Sequence, residues 1–248
     1  MVDGWKIMLQ FAKQDAVNAK QKAYWEQIAT AMRDFDEHVM FASANEPAAS
    51  DATSMSVLLS YHQTFVNAVR STGAHNTYRT LAVQGPSTNI DYTDNLMNTL
   101  PTDPTPNRVM VEVHYYEPFQ FTALSADASW GSMFYYWGQN NHSIIEPSRN
   151  ATWGEEDFVL AEFPKMKAKF VDKGIPVIVG EYGAYRRTTP LDMDRHQASV
   201  DHWITFVTQQ EISDGLKPFW WDTGGLIDRR NYTVSDQRSL DAIMLGGQ

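Results

Sequence analysis

The stretch VMVEVHYY at residues 109–116 decides the predicted fold class of this sequence. Its odd-numbered positions hold three valines and Tyr115, whereas three of its even-numbered positions hold Glu112, His114 and Tyr116. Because successive side chains of a β-strand point to opposite faces, the stretch predicts a strand with an apolar face that packs beneath helices. The other face is polar and ionisable, and it lines either a functional site or a structural polar network inside a barrel.

Predicted strands and helices alternate outward from this stretch in both directions. Short apolar runs predict further strands at residues 39–44, 81–83, 177–179 and 216–222. Amphipathic spacing predicts helices at residues 15–35, 55–69, 91–100, within 156–172, 193–211 and 235–245. This alternation is typical of βα units and a parallel sheet. The sequence therefore predicts five strands in one α/β domain over residues 1–248.

Residues 117–155 interrupt the alternation with a long segment that is rich in aromatic side chains. These are Phe119, Phe121, Trp130, Phe134, Tyr135, Tyr136, Trp137 and Trp153. Disordered segments are poor in aromatic residues, and long loops of compact domains are usually functional. The segment is therefore predicted to be a binding loop above the strand ends, with Trp137 among the substrate-contacting residues. The alternative is a hydrophobic cluster that only pins the loop.

Charge and composition exclude several classes of function. The 248 residues carry 20 basic and 30 acidic side chains, a net charge of −10, and lack the cationic surface that nucleic-acid binding requires. No apolar run approaches the roughly 18 residues of a membrane span. Arg186 and Arg187 are expected to be solvated loop charges. The absence of cysteine excludes thiol nucleophiles, and the seven histidines lack the spacing of a metal site. We therefore predict no cofactor, no metal, and no nucleic-acid or membrane partner.

Two carboxylates follow predicted strands, Glu46 within Ala44-Asn45-Glu46-Pro47 and Glu181 within Val179-Gly180-Glu181-Tyr182-Gly183. Parallel α/β folds build their sites at the carboxyl ends of strands, and strand alternation predicts that Ala42, Ala44 and Glu46 share one face. Paired carboxylates suit glycoside hydrolysis, in which one protonates the leaving oxygen and the other attacks the anomeric carbon. Taken singly, either glutamate fits a structural role better than a catalytic one.

Four motifs in a fixed order make the prediction more specific. They are Asn45-Glu46-Pro47, His114-Tyr115-Tyr116, Gly180-Glu181-Tyr182-Gly183 and Trp220-Trp221-Asp222, each at the end of a predicted strand. Together they resemble glycoside hydrolase family 5, a family of retaining (β/α)8-barrel glycosidases, and within it the bacterial endo-β-1,4-glucanases, or cellulases. The resemblance covers nearly the whole chain. It implies a TIM-barrel type of α/β fold.

The resemblance also implies roles for the residues of these motifs. Glu46 would be the general acid/base, and Asn45 would hydrogen-bond the 2-hydroxyl of the sugar at the cleavage point. Glu181 would be the nucleophile that forms a glycosyl-enzyme intermediate.

Three further residues would support the reaction. Tyr116 would orient the nucleophile by a hydrogen bond, and His114 would tune the acid/base or contact substrate. Trp221 would stack beneath the sugar. Trp220 competes for that role, and since adjacent strand residues face opposite ways, only one of the two is expected to reach the site.

The sequence departs from the family pattern at its beginning. An arginine of the second strand and a histidine of the third strand are missing, and residues 1–5 resemble the loop that follows the third strand. The chain is therefore expected to lack the first three β/α units and to form an incomplete barrel of about five parallel strands, unless residues 6–11 supply a divergent strand. An open sheet edge exposes unpaired backbone groups, so we predict that the chain self-associates as a homo-oligomer.

The predicted activity is retaining cleavage of internal β-1,4 bonds in cellulose-like or mixed-linkage β-glucans. Three alternatives stay open: mannan or xyloglucan specificity within the family, a catalytically impaired remnant that binds polysaccharide, and a barrel enzyme of unrelated chemistry. No export signal is recognised in this sequence. A secreted, bacterial origin is inferred from the polymeric substrate alone.

Overall fold

The structure of the protein is a computed structural model that describes residues 2–3 and 14–248. It divides into two compact units, which we call unit 1 (Met1–Val113 and Ala168–Ile178) and unit 2 (His114–Lys167 and Val179–Gln248). The divergent strand considered at residues 6–11 lies outside the described residues. The single domain predicted over residues 1–248 stays a prediction.

The main sheet has six strands in chain order. They are β1 (Val2–Asp3), β2 (Phe41–Ala42), β3 (Leu81–Gln84), β4 (Val109–Tyr115), β5 (Val177–Tyr182) and β6 (Lys217–Trp220). The pairs β1–β2, β2–β3 and β3–β4 are parallel. All five predicted strands are confirmed, and the two-residue strand β1 is an addition to them. A separate antiparallel hairpin is formed by β7 (Ile227–Asp228) and β8 (Thr233–Val234).

Helices follow the strands as the amphipathic patterns predict. They are α1 (Gln14–Met32), α2 (Ala52–Ser71), α3 (Ile90–Leu96), α4 (Phe119–Thr122), α5 (Glu156–Lys169), α6 (Met193–Ser213) and α7 (Gln237–Gly246). The six predicted helices are confirmed, and the short helix α4 is an addition within the aromatic segment. No helix in the described part of the chain combines the length and the apolar character that crossing a membrane requires.

The core of unit 1 covers both faces of its strands. On one face Trp25 of α1 packs against Phe41 and Phe65, with ring centroids 5.7 and 4.5 Å apart. On the other face a second cluster joins neighbouring strands through Ala42, Ala82, Met110 and Ile178.

The strand β2 ends at Ala42, and the residues after Ala42 no longer keep the alternation of the strand. Ala42 packs with the cluster on one sheet face, whereas Ala44 packs with Val57 and Tyr61 of α2. The prediction that Ala42 and Ala44 share a face is therefore wrong. Regular alternation requires an extended strand, and the chain has already left the strand after Ala42.

The core of unit 2 confirms the apolar face predicted for the end of β4. The Tyr115 ring stacks on Trp203 of α6 at 6.1 Å and contacts Phe163 of α5 at 4.9 Å. Tyr182 of β5 stacks on the same indole at 6.3 Å. These aromatic contacts fix the last residues of both strands beneath the helices, so that His114 and Tyr116 are directed to the opposite face.

The aromatic segment 117–155 contains both buried and exposed aromatic side chains, and its predicted role as a binding loop stays a prediction. Phe121, Tyr136 and Trp137 have no exposed surface and pin the segment to unit 2. Trp130 and Trp153 are exposed. The segment is therefore anchored by some of its aromatic residues and presents others to solvent.

Candidate functional site

Three predicted residues of unit 2 meet at one carboxylate, and we call them the Glu181 cluster: His114, Tyr116 and Glu181. The Tyr116 hydroxyl donates a hydrogen bond to Glu181 Oε2 at 3.0 Å. His114, which is buried, places Nδ1 3.7 Å from the same oxygen. A hydrogen bond donated to a carboxylate orients it and favours its anionic form. The arrangement suits a glutamate that presents an oxygen in a fixed direction.

The local sequence explains this arrangement. Tyr182 lies beneath α6, where its hydroxyl pairs with the Thr208 hydroxyl at 2.8 Å. Burial raises the pKa of the Tyr182 phenol, so it remains neutral. Since Tyr182 is anchored under the helix, the preceding Glu181 is turned to the face that carries Tyr116.

A cleft of about 360 Å³ in unit 2 begins at Tyr116. Trp221 lines it and is 51% exposed, while its backbone N–H donates to the Tyr182 carbonyl at 3.0 Å. Trp220 also lines the cleft and packs edge-to-face on Tyr182 at 5.3 Å. Both residues therefore border the cleft, since β6 ends at Trp220 and strict alternation ends with it. Which of the two indoles contacts a sugar stays a prediction.

Asp222 holds the loop that forms one wall of the cleft. Burial alone would raise the pKa of Asp222, but hydrogen bonds from the Leu226 and Gly224 N–H groups outweigh it and lower the pKa. Its Oδ1 accepts from these two groups at 2.9 and 2.8 Å. The carboxylate is thus anionic and fixes the turn after Trp221.

Arg186 is a lining residue of the cleft that the sequence interpretation missed. It was expected to be a solvated charge, yet its guanidinium donates to Asp201 at 2.6 Å, to Asp236 at 3.0 Å and to Gln197 at 2.7 Å. These contacts tie the segment after β5 to α6 and to the start of α7. A dipeptide of arginines in a loop carries no signal for such partners, which lie far away in the sequence.

Unit 1 carries the other predicted carboxylate on a segment that we call the Glu46 loop, residues 43–49. Glu46 has a φ of 45°, in the left-handed region, where a residue with a Cβ atom is strained by roughly 1–2 kcal/mol. Its N–H donates to the side-chain oxygen of Gln84 at 2.7 Å. Ser87 adds two contacts, from its N–H to the Pro47 carbonyl at 2.7 Å and from its hydroxyl to the Ala49 carbonyl at 3.0 Å. The segment after β3 therefore fixes the Glu46 loop.

A buried histidine lies behind the Glu46 loop. Burial lowers the pKa of His62 to about 4, so the ring is neutral near pH 7. Its Nε2 lies 2.9 Å from the Gln84 carbonyl oxygen and its Nδ1 2.9 Å from Ser43 Oγ. Because a carbonyl only accepts, Nε2 carries the proton and Nδ1 accepts from the Ser43 hydroxyl. His62 thus ties the ends of β2 and β3 together.

Two predicted residues have different outcomes. Asn45 is partly buried and precedes Glu46 in the Glu46 loop, as the motif implies; its role stays a prediction. Trp137 has no exposed surface, and its indole N–H donates to the Gly154 carbonyl at 2.7 Å. The structure thus corrects the predicted substrate contact of Trp137, because a fully buried indole offers no face to a sugar.

The comparison with protein families decides the family. A family profile described as Cellulase (glycosyl hydrolase family 5) matches residues 3–225. The chain belongs to glycosyl hydrolase family 5. Both predicted glutamates and Trp221 lie within the match, which confirms the resemblance drawn from the four motifs.

Curated relatives of this family 5 chain include endoglucanases. Endoglucanase A of Paenibacillus barcinonensis is 31% identical over 270 residues, which cover 100% of this chain and 64% of the relative. A xyloglucan-specific endo-β-1,4-glucanase of Bacteroides ovatus is 32% identical, over 98% of this chain and 49% of the relative. The chain therefore spans about half to two thirds of the length of these relatives.

Solved family 5 structures resemble this one closely. A xyloglucan-specific β-1,4-glucanase from a ruminal metagenomic library, in complex with XXLG, has a TM-score of 0.86 at 37% identity, over 96% of this chain and 66% of that chain. The Bacteroides ovatus xyloglucanase in complex with a XXXG heptasaccharide has a TM-score of 0.84 at 30% identity, over 95% and 52%. These similarities confirm the predicted α/β fold of the TIM-barrel type.

Proposed function

We propose that this protein is a retaining endo-β-1,4-glucanase that cleaves internal bonds of cellulose-like or mixed-linkage β-glucans. The observation that carries the proposal is the Glu181 cluster, in which Tyr116 donates to Glu181 Oε2 at 3.0 Å beside an aromatic-lined cleft. Membership of family 5 supports the same reaction. A carboxylate that is oriented next to a sugar-sized cleft is what a glycosidase nucleophile requires.

In the proposed mechanism Glu181 attacks the anomeric carbon while Glu46 protonates the glycosidic oxygen, and the bond between that carbon and that oxygen breaks. The products are a glycosyl-enzyme ester and a shortened chain with a free hydroxyl. Water then attacks the same carbon, Glu46 accepts its proton, and Glu181 leaves as a carboxylate. Configuration is retained because the anomeric carbon is inverted twice. Asn45 would hold the 2-hydroxyl, as the motif implies.

The cleft supplies the binding surface in this proposal. The exposed face of Trp221 is a platform for the apolar C–H face of a glucose ring. His114, at 3.7 Å from Glu181 Oε2, adds a polar contact on the nucleophile side.

The test is the release of reducing sugar from carboxymethylcellulose and lichenan by the wild type, Glu181→Gln and Glu46→Gln. Glu37→Gln is the matched control, because Glu37 is an exposed glutamate of unit 1. We expect the wild type and the control to be equally active, and both catalytic variants to lose at least about 10³-fold. The first sugar released must be the β-anomer by proton NMR. Release at the level of the buffer blank by all four proteins would refute the proposal and favour polysaccharide binding without catalysis. Equal release above that level would refute the roles of Glu46 and Glu181.

Xyloglucan is a second candidate substrate. It is favoured by two solved relatives at 30% identity or more that are named as xyloglucanases. Loops rather than the barrel select the sugar, so kcat/KM on xyloglucan, lichenan and glucomannan ranks the candidates. A tenfold preference for xyloglucan over unbranched glucan would replace the first candidate by the second.

Two further parts of the proposal concern assembly and location. We propose that the chain self-associates, which light scattering over a wide concentration range tests; a constant monomer mass would contradict it. We also propose that the protein acts outside the cell, because a polymeric glucan is too large to enter one. Two of its curated relatives are endoglucanases of the bacteria Paenibacillus barcinonensis and Bacteroides ovatus.

A further inference from the structure

We propose that Gln84, locked in place by His62, is a positioning residue for acid/base catalysis. This inference rests on the proposed function, in which Glu46 is the acid/base. Gln84 acts on the backbone of Glu46, and its contribution is therefore specific to the steps in which Glu46 transfers a proton.

The hydrogen bond between Glu46 and Gln84 is made by the backbone nitrogen of Glu46, next to the bond whose rotation sets the direction of the Glu46 side chain. Gln84 is 1% exposed, and its Oε1 accepts the Glu46 N–H at 2.7 Å. The φ angle describes rotation about the bond from this nitrogen to Cα, and at 45° Glu46 is outside the regions that L-residues prefer. A hydrogen bond that anchors the N–H keeps this unfavourable angle. Without it, the backbone relaxes and the carboxyl group moves.

Gln84 is itself held by its neighbours. The His62 Nε2–H donates to the backbone carbonyl of Gln84. The Nδ1 atom of His62 accepts from the hydroxyl of Ser43, the first residue of the Glu46 loop. His62 is completely buried at a position of α2 where the amphipathic pattern calls for an apolar side chain. A buried polar ring is tolerated when both of its nitrogens are bonded, and here each bond ends on one of the two segments that set Glu46.

The test compares substrates whose leaving groups differ in their need for a proton. The dinitrophenolate of a 2,4-dinitrophenyl β-cellobioside leaves without a proton from an acid. The leaving group of a p-nitrophenyl β-cellobioside needs acid assistance to some extent, and the sugar leaving group of a β-glucan needs it most. In Gln84→Met we expect kcat/KM on β-glucan to fall about 10–100-fold, a part of the 10²–10⁴-fold that general acid catalysis supplies. The glycosylation step with the dinitrophenyl substrate should change by less than about threefold. Glu46→Ala, which lacks the acid/base, should show the largest difference between the loss on β-glucan and the loss on the dinitrophenyl substrate. Azide should accelerate turnover of the dinitrophenyl substrate in both Gln84→Met and Glu46→Ala.

The matched control is Gln27→Met, which makes the same chemical change at an exposed position of α1; it should match the wild type on every substrate. If Gln84→Met does not fold by circular dichroism, Ser43→Ala makes the same test, because it releases His62 from the Glu46 loop. A uniform loss on all substrates, or no loss, would overturn the inference. Failure of the proposed function has a different result: the wild type is inactive, or Glu46→Ala shows no dependence on the leaving group.

Discussion

Replacing Tyr116 by phenylalanine removes one hydroxyl group and leaves the ring that lines the cleft. The hydroxyl donates to Glu181 Oε2 at 3.0 Å. A hydrogen bond to a charged group contributes about 1.5–3 kcal/mol, which corresponds to a loss of roughly 10- to 150-fold in rate if the bond is fully used in the transition state. We therefore expect kcat of Tyr116→Phe on carboxymethylcellulose to fall within that range.

The split between kcat and KM decides whether this reasoning is right. Tyr116 orients the nucleophile in the proposed mechanism, so its hydroxyl should affect kcat, with KM changing by less than about twofold. Tyr232→Phe is the control, because Tyr232 is 91% exposed. A loss confined to KM, or a kcat within twofold of the wild type, would refute the role assigned to the hydroxyl.

Three other predictions concern binding and stability. Trp221→Ala should raise KM on β-glucan about tenfold, equivalent to about 1.4 kcal/mol of stacking and burial, with kcat nearly unchanged; steady-state kinetics checks this. Arg79→Met should lower the free energy of unfolding by at least about 3 kcal/mol, because the buried guanidinium donates to four backbone carbonyls between residues 32 and 39. Urea unfolding measures this loss. Burial raises the pKa of Glu211 well above its usual value, and neither carboxyl oxygen has a hydrogen-bond partner among the described residues. The folded protein therefore keeps a proton on Glu211 that the unfolded chain releases above its own pKa, so the free energy of unfolding falls as the pH rises. Glu211→Met should raise the free energy of unfolding by about 1–3 kcal/mol at pH 7 and by less at pH 5. An equal gain at both pH values would contradict this.

The end of β4 was predictable because the alternation of side chains along a strand holds there. Alternation assigned Tyr115 to one face and His114 and Tyr116 to the other. The structure places Tyr115 against Trp203 and brings the other two to Glu181. Where a strand is long enough to keep its period, the sequence pattern predicts which face packs in the core and which face carries the candidate site residues.

The Glu46 loop was less predictable, since its backbone depends on contacts that are distant in the sequence. The strand before it has two residues, so the period ends before Ala44. The Glu46 N–H donates to the side chain of Gln84, which is 38 residues away. The motif identified Glu46, but no local rule gives the direction of its side chain. The same limit applies to Trp220, which ends a short strand.

The aromatic segment shows a third limit, because composition does not distinguish anchors from platforms. Trp137 and Trp130 are the same residue type in the same segment, yet one has no exposed surface and the other is 62% exposed. The difference arises from a partner: the indole N–H of Trp137 is satisfied by the Gly154 carbonyl. A buried indole needs such an acceptor, and a carbonyl seventeen residues away leaves no mark in the sequence.

Under the proposed function, the two glutamates are held in ways that match their different tasks. Two of the contacts on Glu181 are made to its carboxylate, by the Tyr116 hydroxyl and by His114 Nδ1. A nucleophile must present one oxygen along a fixed line to the anomeric carbon, so orienting that group directly favours the reaction. On Glu46, Gln84 accepts a hydrogen bond from the backbone N–H. An acid/base must give up a proton and later regain one, and its carboxyl group changes from donor to acceptor between the two steps. The hydrogen bond to Gln84 fixes the Glu46 backbone, and a support of that kind serves both protonation states of the carboxyl group.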